Sequence, residues 1–347
     1  MISYKLLPNA REFLDDLEKE IRRAKSSVDL QFLTFEADAV GNRVAESLFK
    51  ANERGIKVRF IVDHFIDLFH NDYFIHRPRL NRALQRIITG EWKNTKKLLE
   101  SMSKAGIEIK RTNPLGFLRR KALQRNHKKI VIIDGDVVGK SIAYIGGYNL
   151  SEHNASWNDF MVKMRGEMIP LLQEDFNATL EDKSVNGKLE YKDGVVLIDS
   201  PRGGHEIMPF VIDLINNSKN RVVIESPYLR GKNILESLNE ASRHGVDVRI
   251  IVPMNNNHKR LGAPTSQSLK KLIENGAKIY KFKENKGMTH AKALLVDNVV
   301  MFGSSNLSES LAGRLSEINI ATHNKDMVQQ MLKKLDEDMG MSVLQVG

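Results

Sequence analysis

The chain contains one α/β plan twice. From Val28 to Val62 it reads as a strand (Val28-Asp29-Leu30-Gln31-Phe32-Leu33), an amphipathic helix and a second strand (Ile56-Lys57-Val58-Arg59-Phe60-Ile61-Val62). The pattern returns from Arg221-Val222-Val223-Ile224-Glu225 to Val246-Asp247-Val248-Arg249-Ile250-Ile251-Val252. At an offset of 190 residues Leu48, Ala51, Gly55, Val58, Arg59, Ile61 and Val62 fall on Leu238, Ala241, Gly245, Val248, Arg249, Ile251 and Val252. Further on, Gly106-Ile107-Glu108-Ile109 matches Gly276-Ala277-Lys278-Ile279 at an offset of 170, so the first half holds about 20 extra residues between His64 and Lys104. Strands alternating with helices of this length predict an α/β fold of two lobes related by a pseudo-twofold axis, each a mixed β-sheet flanked by helices. The expected boundaries are 1–176 for an N-terminal lobe with a basic and apolar insertion at about 64–125, 177–204 for a linker, and 205–347 for a C-terminal lobe. The linker is read from the polar run Glu181 to Gly187 and the turn Ser200-Pro201-Arg202-Gly203-Gly204.

Each half carries His-x-Lys-x-x-x-x-Asp, first as His127, Lys129 and Asp134, then as His290, Lys292 and Asp297. A chain of this composition holds about 0.05 such matches by chance, so two at equivalent places are a signal. The apolar stretches Lys129 to Ile133 and Ala293 to Val296 are predicted as buried strands. Residues two apart on a strand share a face, and residues seven apart do not. His and Lys therefore point together into a site, while Asp134 and Asp297 point away and are expected as strand-end anchors. Glycines and an amide follow in both halves, as Gly146-Gly147-Tyr148-Asn149 and Gly303-Ser304-Ser305-Asn306, and then an acid, Asp159 or Glu317.

Two imidazoles, two ammonium groups and two amides suit one phosphodiester. Lys129 and Lys292 offset its charge, and Asn149, Asn306 and Ser304 are candidates to donate to its non-bridging oxygens. One His attacks phosphorus while the other protonates the leaving alkoxide and later deprotonates the acceptor. Asp159 and Glu317 are candidates to hold the far ring nitrogens and fix the tautomers. No metal or other cofactor is required. His258, just past the strand ending at Val252, is a candidate substrate contact because α/β sheets place ligands at that end. His64, His70, His76, His153, His205, His244 and His323 have no partner at ligand spacing and are read as bland.

Charge narrows the partner. The net charge of +10 is concentrated between Arg77 and Lys129, which hold 16 basic and 3 acidic residues. Such a field attracts nucleic acid or an anionic lipid surface, a solvated helix face being the alternative. Zero cysteines exclude disulfides, thiolate catalysis and Cys-ligated metals. No apolar run approaches the roughly 18 residues of a membrane-spanning helix, and Met1 to Arg11 lack the apolar block of a signal peptide. Within the insertion, Phe65, Ile66, Leu68, Phe69, Tyr73, Phe74 and Ile75 form an apolar run, and Phe117 and Leu118 precede Arg119 and Arg120. Apolar residues flanked by cations suit interfacial binding to anionic lipid, with burial in the core the competing reading for 65–75.

The paired His-x-Lys-x4-Asp motif resembles the signature of the phospholipase D superfamily. Arg125 to Gly135, Asn113-Pro114-Leu115, Tyr144 to Asn149, Trp157-Asn158-Asp159, Ser226-Pro227-Tyr228, Gly245 to Pro253 and Met288 to Lys292 are similar to bacterial-type cardiolipin synthases. The resemblance runs from about Val28 to Asn319. It implies the phospholipase D fold with a single shared active site at the lobe interface, and a metal-free phosphatidyltransferase. Phosphatidylglycerol would place its phosphatidyl group on one His, provisionally His127. His290 would then serve as acid and base while a second phosphatidylglycerol accepts it, giving cardiolipin and glycerol. Members of the family often begin with membrane-spanning helices, which are not found in this sequence; the basic and apolar insertion predicts instead a cytoplasmic enzyme peripherally associated with the membrane surface, and the internal duplication lets a monomer supply one site. After Asn306 the chain reads Leu307-Ser308-Glu309-Ser310 where the family has Asp-x-Arg-Ser, which leaves the acceptor alcohol open. Two alternatives compete. One is a nuclease or phosphodiesterase of the same superfamily with the basic segment on nucleic acid; the other is a non-catalytic binding protein.

Overall fold

The computed structural model describes residues 2–75, 81–115, 124–137, 139–201, 204–256 and 266–345. Phe117, Leu118, Arg119, Arg120 and His258, named above as membrane or substrate contacts, lie outside the described residues.

The two halves form two sheets of matching topology. The first has seven strands in the order Ser3–Leu7, Met161–Arg165, Ile142–Gly146, Ile130–Ile133, Ser27–Phe32, Lys57–Asp63 and Glu108–Thr112. The second repeats this order with Gly194–Asp199, Leu315–Thr322, Val299–Gly303, Ala293–Val296, Arg221–Glu225, Asp247–Pro253 and Lys278–Phe282. Parallel and antiparallel neighbours also correspond: Val28 pairs parallel with Val58 as Val222 does with Val248, and Leu30 antiparallel with Val131 as Ile224 does with Leu294. Gly187–Tyr191 and Ser342–Gln345 extend the second sheet at its edges.

Both sheets are covered on both faces, which explains why central strands are apolar without a break. Leu17, Leu48, Phe60 and Val131 belong to the core between the first sheet and the helices Ala10–Arg23, Ala39–Glu53 and Arg82–Lys104. Ile215, Leu238, Ile250 and Leu294 do the same for the second sheet and Ile207–Asn216, Lys232–Arg243 and Ser266–Glu274. The middle core takes side chains from both sheets, among them Ile130, Ile145, Leu295 and Phe302, with Phe176 and Met331 from the helices Ile169–Leu180 and Lys325–Gly340. A polar residue on such a strand needs an internal partner. Asp29 is fully buried and receives Arg59 Nε at 2.6 Å and Gln173 Nε2 at 2.9 Å.

Two expectations need correction. Residues 177–204 are not an open linker. The helix Ile169–Leu180 consumes their start, and Gly194–Asp199, with Val195 to Ile198 buried, pairs with the second sheet through Ile198 and Ile318. The linker signal came from the polar connection before the hairpin and the turn residues after it, not from the strands between them. The apolar run 65–75 is not one surface patch either. Ile66, Leu68 and Ile75 are buried, whereas Phe65 and Phe69 stack at 4.9 Å and stay half-buried. They belong to a short turn, His64–Asp67, and a tight hairpin of Phe69–His70 and Tyr73–Phe74. Its corner residues Asn71 and Asp72 sit at φ of 47° and 60°, the left-handed pair that a two-residue hairpin loop requires.

The lobes also exchange backbone. Arg125–Asn126 leaves its own sheet to pair in parallel with Leu315 and Ser316, and Asn158 reciprocates with a bridge to Thr289. Among the described residues, no helix is long and apolar enough to cross a membrane.

Candidate active site

The exchanged segments end at the paired motif. His127 donates its backbone N–H to Ser316 O at 2.9 Å, and His290 donates its own to Asn158 O at 2.8 Å. Each His is thereby seated on the backbone of the opposite lobe, one residue before an acid. His127 Nδ1 lies 3.0 Å from both carboxylate oxygens of Glu317, and His290 Nδ1 lies 2.7 Å from Asp159 Oδ2. The carboxylate that orients each ring is thus supplied crosswise, leaving Nε2 as the reactive nitrogen.

Both rings face one cavity of about 340 Å³, lined from the first lobe by His127, Asn149, Thr34, Glu36, Phe65, Phe69 and Trp157 and from the second by His290, Asn306, Tyr228, Leu311 and Arg314. Asn149 and Asn306 are buried and leave their side-chain oxygens without a partner. Lys129 and Lys292 lie beneath the site, almost fully buried, each donating from Nζ to the backbone oxygen of its own His at 2.6 Å. The Lys292 ammonium is also 3.0 and 3.2 Å from the two ring nitrogens of His290.

Burial sets the electrostatics. It pushes Lys129 down to about 7 and Lys292 to about 8, Glu317 and Asp159 being the carboxylates that oppose it. Burial lowers the pKa of His127, with Glu317 working against it, and holds His290 well below the usual imidazole range, helped by the Lys292 charge. The two carboxylates respond differently. Burial raises Asp159 to about 6. For Glu317 burial also raises the pKa, but the charge and hydrogen bond of His127 outweigh it and the group ends below its ordinary value. Part of the difference lies at one pseudosymmetric position. Ser304 donates a hydroxyl to Glu317, while Gly147 stands at the matching place and a Cβ there would come within 2.3 Å of Asp159. Ser304, expected as a donor to phosphate, is fully buried and spent on donating to Glu317 and accepting Ile318 N–H at 3.0 Å. It acts on the carboxylate, not on the cavity.

Asp134 and Asp297 do not line the cavity. Asp134 accepts the N–H groups of Lys25, Ser26 and Ser27 at 2.7–3.2 Å, and Asp297 those of Lys219, Asn220 and Arg221 at 2.8–3.1 Å. Both occupy left-handed backbone, φ 54° and 49°, which Asp tolerates better than most residues. Two other residues were undervalued. Trp157 packs its ring 4.8 Å from that of His290, and His153 lines the cavity with Nε2 3.0 Å from Asp72. The signal for Trp157 was its place two residues before Asp159; His153 had none, because its partner comes from the inserted hairpin. Among the described residues, no group of three or more His, Cys, Asp or Glu side chains is placed to hold a metal ion.

Comparison with known proteins agrees with this geometry. The family model described as "Cardiolipin synthase, PLD-like domain" matches residues 17–180 and 211–339, one match per lobe. A cardiolipin synthase of Listeria welshimeri is 26% identical over 96% of this chain and 68% of its own length, and one of Halalkalibacterium halodurans is 28% identical over 87% and 59%. The chain thus spans about 60 to 70% of the length of these relatives. The crystal structure of phosphatidylserine synthase from Haemophilus influenzae Rd KW20 superimposes with a TM-score of 0.70 over 99% of this chain and 87% of that one, at 14% identity, so the fold is shared. The paired motif, the duplicated sheets and a family match to both lobes lead to one statement: this chain belongs to the cardiolipin synthase, PLD-like domain family.

Proposed function

We propose that the protein is a phosphatidyltransferase that makes cardiolipin from two molecules of phosphatidylglycerol. The observation that carries this reading is the crosswise pairing of His127 with Glu317 and His290 with Asp159 over one cavity. In the first step the bound phosphate anion holds His290 in its protonated form, His127 Nε2 attacks phosphorus, the bond from phosphorus to the glycerol headgroup breaks, and His290 Nε2 gives its proton to the departing oxygen. Glu317 keeps the His127 hydrogen on Nδ1 and so leaves the lone pair on Nε2. In the second step the hydroxyl of another phosphatidylglycerol returns a proton to His290 as its oxygen attacks phosphorus. The phosphorus–nitrogen bond breaks and cardiolipin departs with both rings restored. Lys129 and Lys292 offset the charge on the phosphoryl group, and the amides of Asn149 and Asn306 contact its non-bridging oxygens as charge builds. A single chain supplies every group named.

Contact with the membrane is peripheral in this reading. The helix Arg82–Lys104 exposes Arg82, Arg86, Lys93 and Lys97, and Ile87 and Tyr73 are exposed apolar side chains in the same inserted region. Basic side chains with protruding apolar ones suit an anionic lipid surface better than a nucleic-acid backbone. Purified protein incubated with phosphatidylglycerol vesicles, with and without EDTA, tests the activity by mass spectrometry. Cardiolipin formed in EDTA by the wild type, and by neither His127→Ala nor His290→Ala, is the expected result. A phosphoryl group trapped on His127 in His290→Ala would support the assigned roles; no lipid turnover would sink the reading.

A further inference from the structure

The cavity is chemically lopsided. Besides the catalytic histidines its wall carries a polar recess that includes Thr34, Glu36, Asn71, Asp72, His153 and Asn154, in which Glu36 is bonded to Asn71 and Asp72 to His153. Glu36 follows the C-terminal end of the strand Ser27–Phe32, where parallel sheets place ligands. Its side chain is 4% exposed. One carboxylate oxygen accepts Asn71 N–H at 3.1 Å; the other, Oε2, has no hydrogen-bond partner, the His70 imidazole Nε2 lying 3.7 Å away. A buried carboxylate oxygen without a donor is costly unless something supplies one.

The pseudo-twofold identifies what is unusual. Glu36 N–H donates to Leu150 O at 3.1 Å, and at the matching position Arg230 N–H donates to Leu307 O at 3.0 Å. The duplicated scaffold therefore presents an acid on one side and a base on the other, and on the second-lobe wall the charged residue is Arg314. An anionic phosphate is repelled from the Glu36 recess. The recess offers donors and acceptors together: a carboxylate oxygen, the amides of Asn71 and Asn154, the hydroxyl of Thr34 and an imidazole. Hydroxyl groups both donate and accept, so this mixture fits them. An ammonium group would need acceptors alone, and it would meet His153, which its hydrogen bond to Asp72 holds toward the charged form.

We infer that Glu36, with Asn71 and the Asp72–His153 pair, forms a subsite that binds the vicinal hydroxyls of a polyol acceptor and presents one of them to the catalytic histidines. This rests on the phosphatidyl-transfer reading and adds to it the place where the acceptor headgroup is held and the residues that select it. The inserted hairpin 69–74 supplies Asn71 and Asp72, so the extra residues of the first half serve acceptor choice.

The test offers phosphatidylglycerol vesicles two competing free alcohols, deuterated glycerol and ethanol, and reads labelled phosphatidylglycerol against phosphatidylethanol by mass spectrometry. Glu36→Gln is nearly isosteric, and because burial already raises Glu36 to about 7, the pocket tolerates a neutral group there. The glycerol-to-ethanol ratio is expected to fall about tenfold in Glu36→Gln, the worth of one hydrogen bond, and to fall by less in Asp72→Asn. A ratio unchanged in Glu36→Gln overturns the subsite. A wild type that leaves phosphatidylglycerol untouched with every acceptor overturns the transfer reading itself, and the subsite with it.

Discussion

Replacing Glu317 with Gln isolates what the crosswise carboxylate does. His127 Nδ1 sits 3.0 Å from both carboxylate oxygens, so a carboxamide in the same place puts an NH2 group against the ring in either orientation. The amide oxygen can still accept the Nδ1 hydrogen, but the NH2 group at the same distance competes by donating to a bare Nδ1, which puts the hydrogen on Nε2, the nitrogen assigned to the attack. The loss of a hydrogen bond to a charged group is worth about 1.5–3 kcal/mol, roughly 10- to 150-fold in rate at 1.36 kcal/mol per decade. The wrong tautomer adds to this, and the analogous swap in a Ser-His-Asp triad costs about 10⁴ in kcat. Cardiolipin formation by Glu317→Gln should therefore fall by about 10² to 10⁴ at saturating phosphatidylglycerol. Ser304→Ala keeps the carboxylate and removes one donor to it, and should cost about tenfold. The backbone bond from His127 to Ser316 survives in both, so the fold and the ring position should be retained by circular dichroism and thermal melting. A loss below tenfold in Glu317→Gln would refute the argument that this carboxylate fixes the tautomer.

The buried ammonium pair makes activity fall on the alkaline side. Lys129 and Lys292 are cations only below about 7 and 8 in the free protein, so kcat/KM should decline as pH rises through that range. A bound phosphate raises both values, so kcat should decline at higher pH than kcat/KM; coincident profiles would argue against these lysines offsetting substrate charge. Removing the Asp134 carboxylate leaves three backbone N–H groups without their acceptor, and Asp134→Ala should lose about 2–3 kcal/mol of stability, seen as a lower melting temperature. Neutralising Arg82, Arg86, Lys93 and Lys97 together should weaken sedimentation with phosphatidylglycerol vesicles by about 1 kcal/mol per charge at low salt and leave binding to neutral vesicles as it was; an equal loss on both would remove this helix from the lipid contact.

The sheets were legible because β periodicity is local. Val28 to Phe32 and Arg221 to Glu225 declare themselves by composition, and the parity of His127 with Lys129 follows from the pleat alone. Asp159 and Glu317 could be named as tautomer-fixing acids from chemistry, but not matched to their rings, since the match depends on two short segments that leave their own lobe. Such exchanges, Arg125–Asn126 onto Leu315–Ser316 and Asn158 onto Thr289, have no sequence period. Residues 194–199 were hidden because a strand with one polar neighbour on each side looks like a linker when its pairing partner, Leu315–Thr322, lies more than 100 residues away. For Phe65 to Ile75 apolar composition was ambiguous between core, membrane and cavity wall, and the answer divides residue by residue. Glu36 gave no signal at all, since a lone acid after a strand is ordinary until the cavity around it is known.

The crosswise arrangement also explains why duplication leads here to one site and not two. Each lobe carries a His and a Lys, but the acid that orients its ring and the carbonyl that holds its backbone belong to the other lobe. Alone, a lobe would present an imidazole with neither tautomer nor direction, and a buried Lys deprived of one of the carboxylates that keep it charged. Lys334 makes the dependence concrete: it is 4% exposed on the C-terminal helix, pairs with Asp338, and donates at 3.0 Å to Asn158 of the first lobe, the residue whose carbonyl seats His290. The two-step chemistry needs opposite roles from two similar rings. A symmetric pair would not distinguish them, and the asymmetry comes from the inserted hairpin of the first half and from replacements on the common scaffold, among them Ser304 for Gly147 beside the acids and Arg230 for Glu36. The halves have therefore diverged by an insertion and by single replacements, while the strands that carry them have kept the same order.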